Sequence, residues 1–347
     1  MTKGKAKVNF WERNRLSNGY LLKKKVMAVG VSIVRFILLF GLCFLILQPI
    51  LQKISVSFME EQDLYNPIVI NIPEHFTTEN YRLCADPQIM DYSTGLRNSL
   101  IVSTTIAILQ IAMCTLVGYG FARFKFPLKK FWFAMVMLVI VIPPQTISSS
   151  LYLHFKFFDI LGIFKLITGE TINLRGSALP YYLISAGCMG LKNGLYIYMV
   201  RQYFRNIPVD LEEAAYIDGC GTLRTFVRIM LPQAKPIITS CFLFAFVWQW
   251  TDGFYSQMFL SQIRLVSTSL STIVDRIAVY LARISGSGVE SATISPARSN
   301  QILSTGTLMI VFPLIFIYLV AQRQFVAIIR GSGFCYVEAT LNGTGQH

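Results

Sequence analysis

The sequence predicts an all-α membrane protein with six transmembrane helices, and three observations carry that reading. Only 14% of the 347 residues are charged, 54% are hydrophobic and the mean hydropathy is +0.52, whereas a soluble domain carries roughly 25% charged residues. The apolar residues gather into runs of the length a bilayer demands, about 20 residues of helix. Lysine and arginine flank those runs unequally, as the positive-inside rule requires. Such a chain spends its length on a membrane bundle and loops, not on two or three soluble domains.

The elements follow in order. Residues 1–28 are a basic N-terminal segment, with Lys3, Lys5, Lys7, Arg13, Arg15, Lys23, Lys24 and Lys25 ahead of the first apolar run. The formal net charge of +13 therefore reads as membrane orientation rather than nucleic-acid binding. The first crossing is Val29 to Leu51. It is too long for a signal-peptide core of about 7–15 residues, and no small-residue cleavage site follows, so it reads as a retained helix. Arg35 snorkels near its cytoplasmic end, and Pro49 lies near the far end, where a break costs little. The second crossing is Asn98 to Phe121, the third Phe131 to Leu151 with Pro143 and Pro144 inside it, and the fourth Leu179 to Phe204. Ile237 to Leu260 is the fifth and Thr305 to Ala321 the sixth.

Loop charges set the orientation. With the N-terminus inside, Arg123, Lys125, Lys129 and Lys130 join the second and third crossings on the inner side, and Arg205, Arg224, Arg228 and Lys235 join the fourth and fifth there. The C-terminus, with Arg323 and Arg330, is then also inside. The acidic loop 52–97 and the polar loops 156–177 and 261–304 fall outside. This divides the chain into 1–28, 29–97 (first helix and outer loop), a transmembrane core 98–325 with an inner loop 206–236, and a cytoplasmic tail 326–347.

No catalytic or metal site emerges. The seven cysteines form no CxxC and mostly lie in or beside apolar runs, where free cysteine acts as a small hydrophobe. Only Cys84 falls in a long polar loop. His75, His154 and His347 are scattered, and no HExxH, GxSxG or Walker A pattern occurs.

The fourth crossing reads Gly187-Cys188-Met189-Gly190-Leu191-Lys192-Asn193-Gly194, which predicts a bent or broken helix. Two readings of Lys192 stand. Either it and Asn193 face a pathway, since irregular backbone at membrane depth survives only when buried in protein or lining a watery cavity, or the outer half is interfacial and Lys192 sits near the surface.

The inner loop carries the function. Pro208 suits a first helical turn, and Asp210, Glu212 and Glu213 favour a helix N-terminus. Asp218-Gly219 predicts a tight reversal. Thr222 is expected to cap a second helix, Phe226 and Ile229 to give it an apolar side, and Pro232 to end it. A short, stiff helix pair in an inner loop suits transmission of force from a soluble motor. Ala214 and Ala215 allow close approach, and Glu213 offers a charge for pairing.

These residues closely resemble the EAA loop of binding-protein-dependent ABC importer permeases. Glu213, Ala214, Ala215, Gly219, Ile229, Leu231 and Pro232 match the family spacing without a gap, with Asp218 beside the glycine. Asn98-Ser99-Leu100, Tyr119-Gly120-Phe121-Ala122-Arg123-Phe124-Lys125-Phe126-Pro127, Ile142-Pro143-Pro144-Gln145, Arg201 to Pro208 and Trp250 to Phe254 look like the maltose-transporter type of carbohydrate permease, over roughly Asn98 to Phe325. The resemblance implies a type I (MetI-like) permease fold in the bacterial plasma membrane, multi-pass, with the EAA coupling helix cytoplasmic. It implies a second related permease, two ATPase subunits that hold ATP and Mg, an extracytoplasmic solute-binding protein, a sugar substrate and membrane lipid as partners. This chain itself then holds no cofactor and is not an enzyme. The chain departs from the family at Trp250-Thr251-Asp252-Gly253-Phe254, where Trp-Asn-Asp-Phe is usual, and in the tail after Gln322-Arg323-Gln324-Phe325.

Sugar sites combine aromatic faces with hydrogen-bonding neighbours. Trp248, Gln249, Trp250 and Asp252 offer both in the fifth crossing, and Tyr181, Lys192, Asn193 and Tyr196 in the fourth. Each also has a plain reading as an interfacial aromatic or a packing residue. Two other functions remain open at this point. One is an ABC permease for a non-sugar solute; the other is an ion-driven secondary transporter, which calls for buried relay charges and no EAA loop.

Overall fold

The computed structural model describes residues 15–69, 72–159, 162–286 and 294–342. The basic residues up to 14, the stretch 287–293 and the last five residues lie outside the described residues, and with them Lys3, Lys5, Lys7, Arg13, Glu290 and His347. Among the described residues there is no strand, only the isolated bridges Met59–Phe76 and Phe158–Ile172. The helices used below are α1 Tyr20–Ser57, α2 Tyr92–Arg123, α3 Lys129–Val141, α4 Ser148–Lys156, α5 Leu179–Ala186, α6 Asn193–Asn206, α7 Asp210–Ile217, α8 Thr222–Gln233, α9 Lys235–Trp250, α10 Phe254–Phe259, α11 Val266–Ser271, α12 Ile273–Ser285 and α13 Pro296–Asn342. Residues 1–77 and 78–347 form two compact units.

In the first unit, α1 has 38 residues, about 57 Å at 1.5 Å per residue, enough to cross a bilayer and project beyond it. Its apolar side chains are exposed along its length. Pro49, where a break would cost little, does not interrupt the helix, which continues to Ser57. After α1 the chain closes a small hairpin. Phe58 stacks on Phe76 at 4.8 Å, Thr77 N–H donates to the Phe58 carbonyl at 2.8 Å, and the buried Asp63 carboxylate accepts from both the backbone N–H and the ring of His75 at 2.8 Å.

The second unit is organised around α2, against which α5, α6, α9 and α11 pack. Gly118 lets α6 approach closely: a Cβ there would lie 2.8 Å from Val200 Cγ1 and 3.2 Å from the Arg201 backbone nitrogen. The core gathers Ile111, Cys114, Tyr196, Phe204, Phe226, Met230, Phe246 and Trp250.

Three helices, Tyr20–Ser57, Tyr92–Arg123 and Pro296–Val320, are each long and apolar enough to cross a membrane. Among the described residues two bent pairs bring the number to at most five, and the segment expected as the fourth crossing is not one of them. The third crossing is bent by 100° between α3 and Pro144–Lys156, because consecutive prolines remove two backbone donors and clash with the preceding turn. The segment expected as the fourth is broken between α5 and α6, with Cys188 and Lys192 at φ 57° and 61°. The fifth is interrupted at Thr251–Gly253 between α9 and α10. The sixth lies inside α13, which passes through Pro313. The loop 261–304, expected as plain polar loop, contains α11 and α12.

Candidate functional site

The loop 206–236 folds as a helix, a reversal and a helix. Asp210, Glu212 and Glu213 occupy the first turn of α7, where carboxylates meet the positive end of the helix dipole. Gly219 stands at φ +79°. Cys220 N–H bonds the Ala215 carbonyl at 2.9 Å and Gly219 N–H bonds that of Tyr216 at 3.0 Å. That paired pattern is a Schellman closure with the glycine in the left-handed position.

Two local expectations are corrected. Thr222 is not the cap of α8: Gly221 holds that position in an extended conformation, and no side chain caps the helix. Pro232 does not end α8. A π-turn over Phe226–Met230 precedes it, and the wider turn admits the proline ring without a break; the 74° bend falls at Ala234, between α8 and α9.

The segment has an inner and an outer side. Ala215 and Glu212 are buried, Ile229 and Leu231 are half-buried against the core, and Glu213, Ala214, Asp218, Gly219 and Pro232 are exposed. Beside the reversal stand Ile217, 86% exposed, and Leu223, 74% exposed. Two bared aliphatic side chains flanking a rigid turn are what a partner surface would cover. Neither was singled out from the sequence, because spacing alone does not tell which apolar side chains of a short helix face outward.

Long-range contacts fasten the inner side to the bundle. Arg123, at the end of α2, brings Nε to 3.3 Å from Glu212 Oε1, with both side chains under 10% exposed. Its Nη2 donates to the Ile207 carbonyl at 2.7 Å. Arg201 Nε donates to the Phe121 carbonyl at 3.3 Å and the guanidinium lies 3.8 Å above the Phe133 ring. Tyr119 packs against Phe204 and Phe226, with centroids 5.2 and 4.7 Å away. Tyr203 O–H donates to the Gln233 carbonyl at 2.9 Å. The far end of α2 is held by Asn98 Nδ2 on the Arg264 carbonyl and by Ser99 Oγ, which accepts from Val266 N–H. α2 is thus one 32-residue rod, about 48 Å long, fixed at both ends.

The candidate pathway residues fall into three places. Lys192 and Trp248 meet on an exposed surface, with Nζ 4.9 Å from the ring. Tyr181 donates to Asp252 Oδ2 at 3.0 Å inside the protein. Asp252 also accepts from the backbone of Phe254, Tyr255 and Ser256 and from Ser256 Oγ, so it caps α10. Trp250 is buried and its indole N–H donates to the Ile310 carbonyl at 3.2 Å. Asn193, Tyr196 and Gln249 are buried with their side-chain polar atoms making no hydrogen bond among the described residues. Thr115 on α2 is in the same condition. Each such group is costly in a low-dielectric interior.

Residues 114–331 match the family model described as the binding-protein-dependent transport system inner membrane component. A probable ABC transporter permease of Pyrococcus horikoshii is 31% identical over 188 residues, covering 54% of this chain and 62% of that protein. An sn-glycerol-3-phosphate transport system permease of Brucella abortus is 26% identical over 320 residues, covering 91% of this chain and 96% of the relative. Among solved structures, a bacterial ABC transporter involved in import of the acidic polysaccharide alginate superposes with a TM-score of 0.60 at 17% identity, over 84% of this chain and 95% of that one. The last likeness bears on fold alone, and it agrees with the all-α permease architecture.

Proposed function

The chain belongs to the family of binding-protein-dependent transport system inner membrane components, and from that premise we propose that it is the permease subunit of an ABC importer for a sugar or a sugar-like solute. The observation that carries this reading is the exposed Schellman reversal of α7 and α8, bared at Ile217 and Leu223 and bolted through Glu212 to the end of α2. A separate ATPase grips that reversal. Closure of the motor moves α7 as a rigid body, and the Arg123–Glu212 and Arg123–Ile207 contacts hand the movement to α2 and α6. ATP and Mg belong to the motor. The assembly is completed by a second related permease, a second ATPase subunit and a solute-binding protein on the opposite face. The N- and C-termini lie with the coupling loop in the cytoplasm.

The sn-glycerol-3-phosphate permease named above supports a small polyol or sugar as cargo. On this reading Trp248 with Lys192 offers an aromatic face beside an ammonium group. Asn193, Tyr196 and Gln249 take sugar hydroxyls or water once the broken fourth and interrupted fifth crossings part. Tyr181, Trp250 and Asp252 hold the walls. Deletion of the chain, followed by uptake of labelled oligosaccharides, glycerol phosphate and amino acids, tests the cargo. Loss of sugar or polyol uptake alone is the expected result. Loss of amino-acid uptake with sugar uptake intact overturns the substrate reading while leaving the coupling reading to its own test.

A further inference from the structure

At the end of α2 away from the coupling segment lies a cavity of about 350 Å³, lined by Gln88, Arg264, Asp275, Arg276, Tyr280 and Arg283. Its principal wall is one face of α12. Arg276, Tyr280 and Arg283 follow at intervals of four and three, so they project from the same side of the helix. Ile277, Ala278 and Ala282, turned away from that face, are buried and fix its rotation.

Three guanidinium groups and one carboxylate leave the lining with a formal charge of +2 from these residues. Two of the guanidiniums are held by backbone. Arg276 Nη1 donates to the Ile89 carbonyl at 2.8 Å, and Arg264 Nη1 donates to the Pro87 carbonyl at 2.7 Å and approaches Asp91 at 3.3 Å. A guanidinium has five N–H donors, so both keep donors free while their positions are set. The Arg283 side chain forms no hydrogen bond or ion pair among the described residues, and neither does that of Asp275. Lone cations on the surface are ordinary. Three converging on a concavity, two of them fixed in advance, match the fork geometry by which arginine holds planar or tetrahedral oxyanions.

We propose that this cavity is an oxyanion-binding site that takes a carboxylate or a phosphate. Arg264 and Arg276 position the anion, Arg283 closes on it, and Asp275 limits the affinity so that it is released. The site lies by the end of α2 opposite Arg123, and α2 is about 48 Å long, so it serves the face opposite the α7–α8 reversal. The proposal concerns this chain alone and does not depend on the cargo or on the ATPase.

The test uses the full chain in phosphatidylcholine nanodiscs. Inorganic phosphate and citrate are titrated by calorimetry. In a second arm the nanodiscs contain phosphatidylglycerol, and native mass spectrometry counts retained lipid. Saturable binding of phosphate or citrate identifies a soluble anion, and retention of phosphatidylglycerol alone identifies a lipid headgroup. In either case Arg283→Gln weakens binding roughly tenfold or more, since one charge-assisted contact is lost. Asp275→Asn strengthens it severalfold, and Arg97→Gln, an exposed arginine at the same end of α2, leaves it unchanged. Among the described residues the Arg283 side chain holds nothing else in place, so the thermal midpoint of Arg283→Gln stays at the wild-type value, while Asp275, in the first turn of α12, loses only a helix-end charge worth a few tenths to about 1 kcal/mol. No binding of any of the three probes, or equal binding by all variants, overturns the proposal.

Discussion

Replacing Arg123 by alanine tests how the coupling segment is attached. In the native protein Arg123 is the cation beside the buried Glu212 carboxylate, 3.3 Å away, and the donor to the Ile207 carbonyl at 2.7 Å. Its removal leaves a buried carboxylate without compensation, a change that costs roughly 3–5 kcal/mol. The lost hydrogen bond to Ile207 adds about 1 kcal/mol. The load falls on α7, whose other fastening is apolar packing of Ala215 and the turn, so α7 opens locally before the bundle does. Amide hydrogen exchange in nanodiscs should show protection of α7 falling roughly a thousandfold or more in Arg123→Ala, at about 1.4 kcal/mol per factor of ten. α9 and α13 should be unchanged. The double variant Arg123→Met with Glu212→Leu removes both charges and restores most of the protection, because a buried pair replaced by apolar groups of similar volume is close to neutral. Unchanged α7 protection in Arg123→Ala, or a double variant no better than the single one, refutes the reasoning.

Four further outcomes follow from the geometry. Gly118→Ala forces a Cβ to 2.8 Å from Val200 Cγ1 and 3.2 Å from backbone. Overpacking there lowers stability by about 1–3 kcal/mol, read as a lower thermal midpoint with the coupling surface intact. Gly219→Val meets no atom within 4 Å, so its cost is the left-handed backbone alone, roughly 1–2 kcal/mol, and the damage stays local to the reversal in exchange data. Asp252→Ala removes the cap of α10 and costs about 1–2 kcal/mol; the thermal midpoint should fall even without solute, and an unchanged midpoint with lost solute affinity would reassign the carboxylate to the cargo. The hairpin of the first unit should respond to pH. Burial alone would raise the Asp63 carboxyl, but the hydrogen bonds and charge of His75 hold it below its ordinary 3.8. The Asp63 hydrogen bond, opposed by desolvation and aided by Asp63, Glu74 and Glu60, raises His75 above 6.5. The His75 contribution is complete below pH 6.5 and is lost as pH rises through the raised value. The Asp63 contribution is present above 3.8 and is lost as pH falls below it. Exchange protection at residues 58–77 should therefore peak between about pH 4 and 6.5 and decline on both sides, and His75→Gln should flatten the profile.

Local chemistry made the fold of the loop 206–236 readable. Carboxylates in a first turn, a glycine where a left-handed residue closes a helix, and fixed spacing to Leu231-Pro232 are all short-range signals. The broken fourth crossing was readable for the same reason, from glycines around Lys192. Tertiary packing decided the rest. Arg123 and Glu212 are far apart in sequence, and no periodicity links them. The end of α8 was misplaced because a π-turn absorbs Pro232, and proline signals a stop only when the preceding turn is α-helical. α12 had a signal in Ile273 and Ile277, four residues apart, that the polar composition of loop 261–304 concealed. Trp250 and Asp252 have the composition of a sugar site, but their partners, the Ile310 carbonyl and the turn at Ser256, became visible only in three dimensions.

Co-purification from native membranes in mild detergent, with Gly219→Val and Ile217→Asp beside the native chain, tests the central claim most directly. The expected result is recovery of an ATPase and a second permease with the native chain, and recovery of the permease without the ATPase from both variants. Recovery of the native chain alone, or retention of the ATPase by both variants, would contradict the assignment of the α7–α8 reversal as the place where a motor engages this protein.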